Sequence, residues 1–317
     1  MHHPKPRAVR LAAAVIALAS VTACGSTSAA DSGASDKGGK LKVVATTTQV
    51  ADFVRVIGGD RVVVTQLVKS NASPHEYEPT PDVIQAIGQA QLLVKNGVGL
   101  EDDWLGKTVQ TSGFRGQTVD TSADVKLRQG EGEETGKPVD DPHIWHNPEN
   151  ANIMCAAVEK ALAGADPAHK SGYEQRFTEY AAKLDTLDKD IERQINSLPE
   201  DGRKLVTNHD AFGYYVDRYH LTFVGSVIPD FSDQAELSGS QLDSLVKKIK
   251  DEKVKAVFGE SSLPPKTAKT IADEAGVKVV AGGGSLYGDS LGPEGSAGDT
   301  YLKSEEFNTK TIVGALK

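Results

Sequence analysis

Three histidines stand in separate but similar turns: His75 in Pro74-His75-Glu76-Tyr77-Glu78-Pro79, His143 in Asp141-Pro142-His143, and His209 in Asn208-His209-Asp210-Ala211-Phe212. Neutral imidazole is a common ligand for divalent transition metals, but spacings of 68 and 66 residues are far too wide for a zinc finger. Such residues can meet only if the whole fold brings them together. They therefore describe a candidate metal site set between domains, not a local structural clip. The helix signature of zinc hydrolases is missing: the chain has no His-Glu-x-x-His. A Gly-x-x-x-x-Gly-Lys-Ser/Thr phosphate loop is also lacking, so the chain is not an ATPase of that class.

The elements that must position these residues begin well inside the chain. Lys5, Arg7 and Arg10 precede an apolar run from Leu11 to Val21, and Val21-Thr22-Ala23-Cys24 follows. The run is shorter than the roughly 20 apolar residues of a membrane span and matches the h-region of a cleaved signal. Its ending resembles a bacterial lipobox, which implies cleavage after residue 23 and a lipid on Cys24. Residues 24–40, rich in Ser, Ala, Gly and Asp, read as a flexible tether that holds the protein at the outer face of the cell membrane. Losing residues 1–23 removes three basic residues and no acidic one, so the formal charge falls from −9 to −12. This balance argues against a nucleic-acid partner. With Cys24 lipidated, Cys155 has no partner for an internal disulfide, and its apolar setting (Ile153 to Val158) reads as a buried thiol in a helix.

From Leu41 onward, short β-branched runs alternate with helical patterns, the signature of parallel α/β structure. Strands are expected at 41–46, 62–68 and 92–95, with helices at 49–57 and 82–90. The second half repeats the scheme, with strands at 204–207, 222–228, 254–258 and 277–280 and helices at 211–218, 242–249 and 268–275. Between the halves Tyr173, Phe177, Tyr180, Leu184, Leu187, Ile191 and Ile195 recur every three or four residues. This is one amphipathic helix from about Ser171 to Ser197, ~40 Å long at ~1.5 Å per residue. The expected fold is two related α/β lobes with mostly parallel sheets, residues 41–168 and 200–317, joined by a backbone helix within 169–199. A helical connection implies little hinge bending.

Several motifs together resemble a known family: the lipobox, the Pro-His-Glu-Tyr-Glu-Pro turn, Asp141-Pro142-His143-Ile144-Trp145, Asn208-His209-Asp210-Ala211-Phe212-Gly213-Tyr214, Phe258-Gly259-Glu260-Ser261-Ser262 and Leu286-Tyr287-Gly288-Asp289-Ser290. The chain is similar, from Lys42 to its end, to the zinc- and manganese-binding lipoproteins of ABC importers, the TroA-like or cluster A-I family. That resemblance implies a metal buried between the lobes and held by His75, His143, His209 and Asp289. On composition alone Asp299, after Gly298, competes with Asp289. Glu260, following a predicted strand, is a candidate to support the site from outside the ligand set or to form a structural ion pair. His146 is expected beside the site or at the surface, since its position is not a ligand in the resembling proteins.

Three imidazoles and a carboxylate suit Zn²⁺. The stretch from Arg128 to Asp141 is acidic and lacks the histidines that many zinc-specific relatives carry there, whereas His209 stands where manganese-preferring relatives commonly have Glu. The ligand types favour zinc, with Mn²⁺ as the alternative. A set of four protein donors leaves no fixed place for an activated water, which favours capture over hydrolysis. The resemblance implies a monomeric, lipid-anchored metal carrier that serves a membrane permease and its cytoplasmic ATPase. A surface adhesin, a secreted zinc hydrolase and a binder of siderophores or cobalamin are the competing classes.

Overall fold

The computed structural model describes residues 39–131, 138–232 and 238–317. The leader, Cys24, nearly all of the tether and the middle of the acidic stretch lie outside the described residues. No helix among the described residues is long and apolar enough to cross a membrane.

The first half starts with β1 (Leu41–Ala45), α1 (Thr48–Gly58) and β2 (Val62–Gln66). Thr47 caps α1 by accepting the Val50 N–H, and the chain leaves it through Gly59, whose φ of +57° suits a residue without Cβ. There follow α2 (Pro81–Gln89), β3 (Leu92–Lys95), α3 (Leu105–Ser112) and β4 (Gln117–Asp120). The four strands form a parallel sheet in the order β2-β1-β3-β4. β1 and β3 bury nearly every residue, as central parallel strands must. A short antiparallel hairpin, β5 (Gln129–Glu131) and β6 (Pro138–Asp140), leads to α4 (Pro148–Ala165).

The connecting helix is α5 (Lys170–Asn196), 27 residues long, and the expected apolar face is the buried one. Beyond it come β7 (Lys204–His209), α6 (Gly213–Tyr219), β8 (Thr222–Ile228), α7 (Gly239–Asp251), β9 (Ala256–Phe258), α8 (Lys266–Ala275) and β10 (Lys278–Val280). β7 pairs with β8 and β9 with β10, all parallel, and β9 runs alongside β7. By proximity the order β8-β7-β9-β10 mirrors β2-β1-β3-β4, although here the ladder hydrogen bonds join two separate pairs, β7 with β8 and β9 with β10. The two related α/β lobes and their linking helix are those expected from the sequence pattern.

The last element, α9 (Tyr301–Leu316), packs on α5 and α1. Its position makes the junction wider than one helix. At one end Asp52 of α1 accepts the Tyr301 N–H, and at the other Lys255 Nζ donates to the Leu316 carbonyl. The largest hydrophobic cluster consequently runs through both halves, from β1 and α1 through α4 and α5 to α6 and α9. Cys155 lies within it, and burial pushes its thiol well above the ordinary range.

Candidate metal centre

Each of the four expected ligands sits at a strand end or on a loop that the strands deliver to one place. His75 lies in the loop after β2, His143 just beyond the hairpin, His209 at the end of β7, and Asp289 in the loop after β10. One donor atom from each falls within 4.8 Å of the other three, and the last three residues are buried. The Nε2 atoms of His75 and His143 are 3.3 Å apart, and those of His143 and His209 3.4 Å. Asp289 Oδ1 stands 3.4 Å from His143 Nε2 and 3.2 Å from His209 Nε2, while its Oδ2 is 3.8 Å from His75 Nε2. A regular tetrahedron with bonds of 2.0–2.2 Å has donors about 3.3–3.6 Å apart. The measured edges, 3.2–3.8 Å, are close to that spacing, so the four donors could surround one divalent cation.

The outer ring nitrogens explain why the inner ones converge. Asp141 Oδ1 accepts the His143 backbone N–H at 3.0 Å and lies 2.8 Å from His143 Nδ1. Arg128 Nη1 donates to the other oxygen of Asp141 at 3.0 Å. On the opposite side Glu260 Oε1 accepts the His209 N–H at 2.9 Å, and its Oε2 is 2.8 Å from His209 Nδ1, off the line of a straight hydrogen bond. Each carboxylate favours the Nδ1–H tautomer and turns the Nε2 lone pair toward the common centre. The loop of His75 is held by Trp104, whose indole N–H donates to the Pro74 carbonyl at 3.1 Å.

Charge is concentrated in this dry setting. Burial acts to lower the pKa of His143, yet the carboxylates of Asp141 and Asp289 beside its two ring nitrogens outweigh it and raise the group to about 9. His209 is raised well above its ordinary value, where burial is overcome by the charges of Asp289 and Glu260. Burial opposes ionisation of Asp289, but its histidine neighbours, His209 foremost, hold its carboxyl well below the usual range. Among the described residues, no hydrogen bond of good geometry reaches either carboxylate oxygen of Asp289. A buried anion faced by three imidazoles is a fitting receptor for a divalent cation.

The remaining sequence candidates separate cleanly. Asp299 accepts from Lys303 Nζ at 2.8 Å and from the Gly295 N–H at 2.9 Å, and it has no place in the cluster. Glu260 is set against His209. His146 is fully buried, its ring stacked on Phe212 with Nδ1 2.9 Å from Glu305 Oε1, while its backbone N–H donates to the His143 carbonyl at 3.4 Å. Of its two expected places, beside the site or at the surface, burial beneath α9 excludes the surface. Asp141 was missed as a supporting residue. An Asp two residues before His143 is the pattern of a side chain closing a turn onto the i+2 N–H, and that signal was readable.

Paired parallel α/β lobes, a long connecting helix and a buried set of nitrogen and oxygen donors define a metal-binding substrate-binding protein of an ABC transporter. Comparison with known proteins agrees. The chain is 32% identical over 286 residues to the manganese ABC transporter substrate-binding lipoprotein PsaA of Streptococcus anginosus, covering 88% of this chain and 90% of that protein. The metal ABC transporter substrate-binding lipoprotein SsaB of Streptococcus sanguinis matches to the same extent. Among solved structures, the periplasmic zinc-binding protein TroA from Treponema pallidum superposes with a TM-score of 0.80 at 30% identity, covering 88% of this chain and 99% of that one. The chain belongs to the ZnuA family, zinc-uptake complex component A periplasmic, whose profile matches residues 43–315. Members of this family are transport proteins and not enzymes.

Proposed function

We propose that His75, His143, His209 and Asp289 bind one divalent cation, zinc in preference to manganese, and that the loaded protein delivers it to a membrane permease driven by a cytoplasmic ATPase. The observation that carries the ligand assignment is the spacing of the four donors, 3.2–3.8 Å along the measured edges around Asp289 and His143. Three imidazoles with one carboxylate form a softer set than manganese ordinarily selects, which is the argument for zinc. Manganese is the second reading, supported by relatives such as PsaA, a manganese ABC transporter substrate-binding lipoprotein. In this proposal the protein acts as a monomer, anchored outside the cytoplasm through a lipid on Cys24. Residues 41–168 and 200–317 form its lobes, and 169–199 the link between them.

Metal analysis of protein purified without added metal tests the reading, together with competition between Zn²⁺ and Mn²⁺ on the wild type and on His209→Ala. Zinc should remain bound in the wild type, and the substitution should weaken zinc more than manganese. Retention of full zinc affinity by His209→Ala would remove that residue from the ligand set. Mass spectrometry of the membrane-extracted protein checks the lipid on Cys24.

A further inference from the structure

Asp289 follows the last strand of the second lobe in the chain, yet its backbone is docked on the first. Trp145 Nε1 donates to the Gly288 carbonyl at 3.1 Å, and Gln49 Nε2 donates to the Asp289 carbonyl at 3.1 Å. The Leu291 N–H donates to Thr48 Oγ1 at 2.8 Å, and that hydroxyl donates in turn to Gln49 Oε1 at 2.9 Å. Two adjacent side chains at the start of α1 thus clasp one acceptor and one donor of the ligand-bearing loop. One turn further along α1, Asp52 accepts the Tyr301 N–H, and Tyr301 Oη donates back to the Trp145 carbonyl at 2.6 Å. Thr48, Gln49, Trp145 and Asp289 are all buried.

The last backbone links from this loop to the second lobe's sheet lie before Asp289. They are the Leu286 N–H to the Gly259 carbonyl and the Ser261 N–H to the Leu286 carbonyl. Beyond them the two sides meet by close packing: a Cβ on Gly288 would stand only 2.0 Å from Glu260 Oε2. His209 is fixed differently. It ends β7, and its N–H is held by Glu260, which follows β9 in the same lobe. Withdrawing Asp289 from the site would strand buried donors and acceptors of the first lobe, whereas His209 and Glu260 can retreat together with their hydrogen bond intact.

We propose that Asp289 is mechanically a residue of the first lobe, held there by Gln49, Thr48 and Trp145 as positioning residues. The four donors then divide three against one, and the metal is exchanged by withdrawal of His209 with the second lobe. This inference rests on the ligand set proposed above. It also means that loss of the clasp acts on metal binding only through the Asp289 carboxylate.

A double-mutant cycle reads that dependence, with Zn²⁺ affinity measured by competition against a chromophoric chelator. Gln49→Met keeps the side-chain length without the donor, and Trp145→Phe keeps the ring without the N–H. Each should weaken zinc binding about tenfold in the wild type and equally in His209→Ala, with no further loss in Asp289→Ala. An equal loss in the Asp289→Ala background, or none in the wild type, overturns the clasp. If His209→Ala and Asp289→Ala themselves leave zinc affinity unchanged, the ligand set fails and the clasp with it. Hydrogen exchange supplies the second measurement. The Leu291 amide should stay protected when zinc is removed, and loss of its protection would show that the loop leaves the first lobe.

Discussion

At the scale of single residues, the site is a set of lone pairs aimed by carboxylates. Asp141 and Glu260 stand behind His143 and His209, at 2.8 Å from Nδ1 in both cases. Replacing either by the matching amide keeps the shape and removes the charge that makes the imidazole a stronger donor. Asp141→Asn and Glu260→Gln should each reduce zinc affinity by roughly 10–100-fold, measured by chelator competition, with little change in the fold. An unchanged affinity in both variants would mean that the two carboxylates are structural ion pairs only. The same geometry sets a proton competition. His143 holds its proton up to about pH 9 in the metal-free protein, and an imidazolium has no lone pair to offer. Zinc must displace that proton, so affinity should rise with pH from about 6.5 toward 9, by roughly tenfold per unit for each proton released. Calorimetry in buffers of different ionisation enthalpy counts those protons, and a count of zero at pH 7.5 contradicts the prediction. The three histidines could be read from the sequence because their turns share a form. Asp289 needed the motif around it as well, since composition could not separate it from Asp299. His146 could not be assigned between the site and the surface, because nothing in its own turn reveals the glutamate that α9 brings to it.

At the scale of elements, legibility followed hydrophobic contrast. α5 was visible because its buried positions are apolar and its exposed positions charged. β4 was not, since Val119 is its one buried residue. α9 was hidden for the opposite reason: Ser304, Glu305, Asn308 and Thr309 face inward and each makes a hydrogen bond that no apolar periodicity records. Asn308 alone takes the Tyr287 N–H and returns a bond to its carbonyl, at 2.8 and 2.9 Å. The contact of α9 with α1 includes a buried Asp52, whose pKa burial raises from 3.8 to about 6 despite the bond from the Tyr301 N–H. A carboxyl raised in the folded state binds its proton more tightly there than in the unfolded chain. Its contribution is therefore favourable below pH 4 and is lost as pH rises through 6, reaching a cost of about 3 kcal/mol at pH 7. Asp52→Asn keeps an acceptor for Tyr301 and removes the buried charge. It should stabilise the protein by about 1–2 kcal/mol in urea unfolding at pH 7 and by nearly nothing at pH 4. A loss of stability at pH 7 would show that ionised Asp52 is needed by its neighbour Arg55 more than it suffers from burial.

At the scale of the whole molecule, repetition and continuity act together. The repeated strand order was recoverable because strand, helix and strand recur in both halves, while the breadth of the junction was not, because it depends on α9 returning across α1. One hydrophobic cluster spans that junction, so neither lobe has a complete boundary of its own there. Two domains joined by a flexible linker would melt independently. These two share α1, α4, α5 and α9, and cutting the cluster would expose apolar surface on both sides. The metal-free protein should consequently unfold in one calorimetric transition, with the van't Hoff and calorimetric enthalpies in agreement. Zinc, bound by loops from both halves, should raise that single midpoint, by an amount equivalent to about 4 kcal/mol when free zinc is a thousandfold above Kd. Two resolved transitions without metal, merging only when zinc is added, would instead make the ion the principal bond between the lobes. The packing of Tyr301 against Phe53, with ring centroids 5.0 Å apart, and the Asp52 bond to its N–H argue for the first outcome, because both cross the junction without involving a metal ligand. In the proposed exchange the two halves stay joined through this core when the cargo leaves, and only the site-facing edge of the second lobe, with His209, draws back.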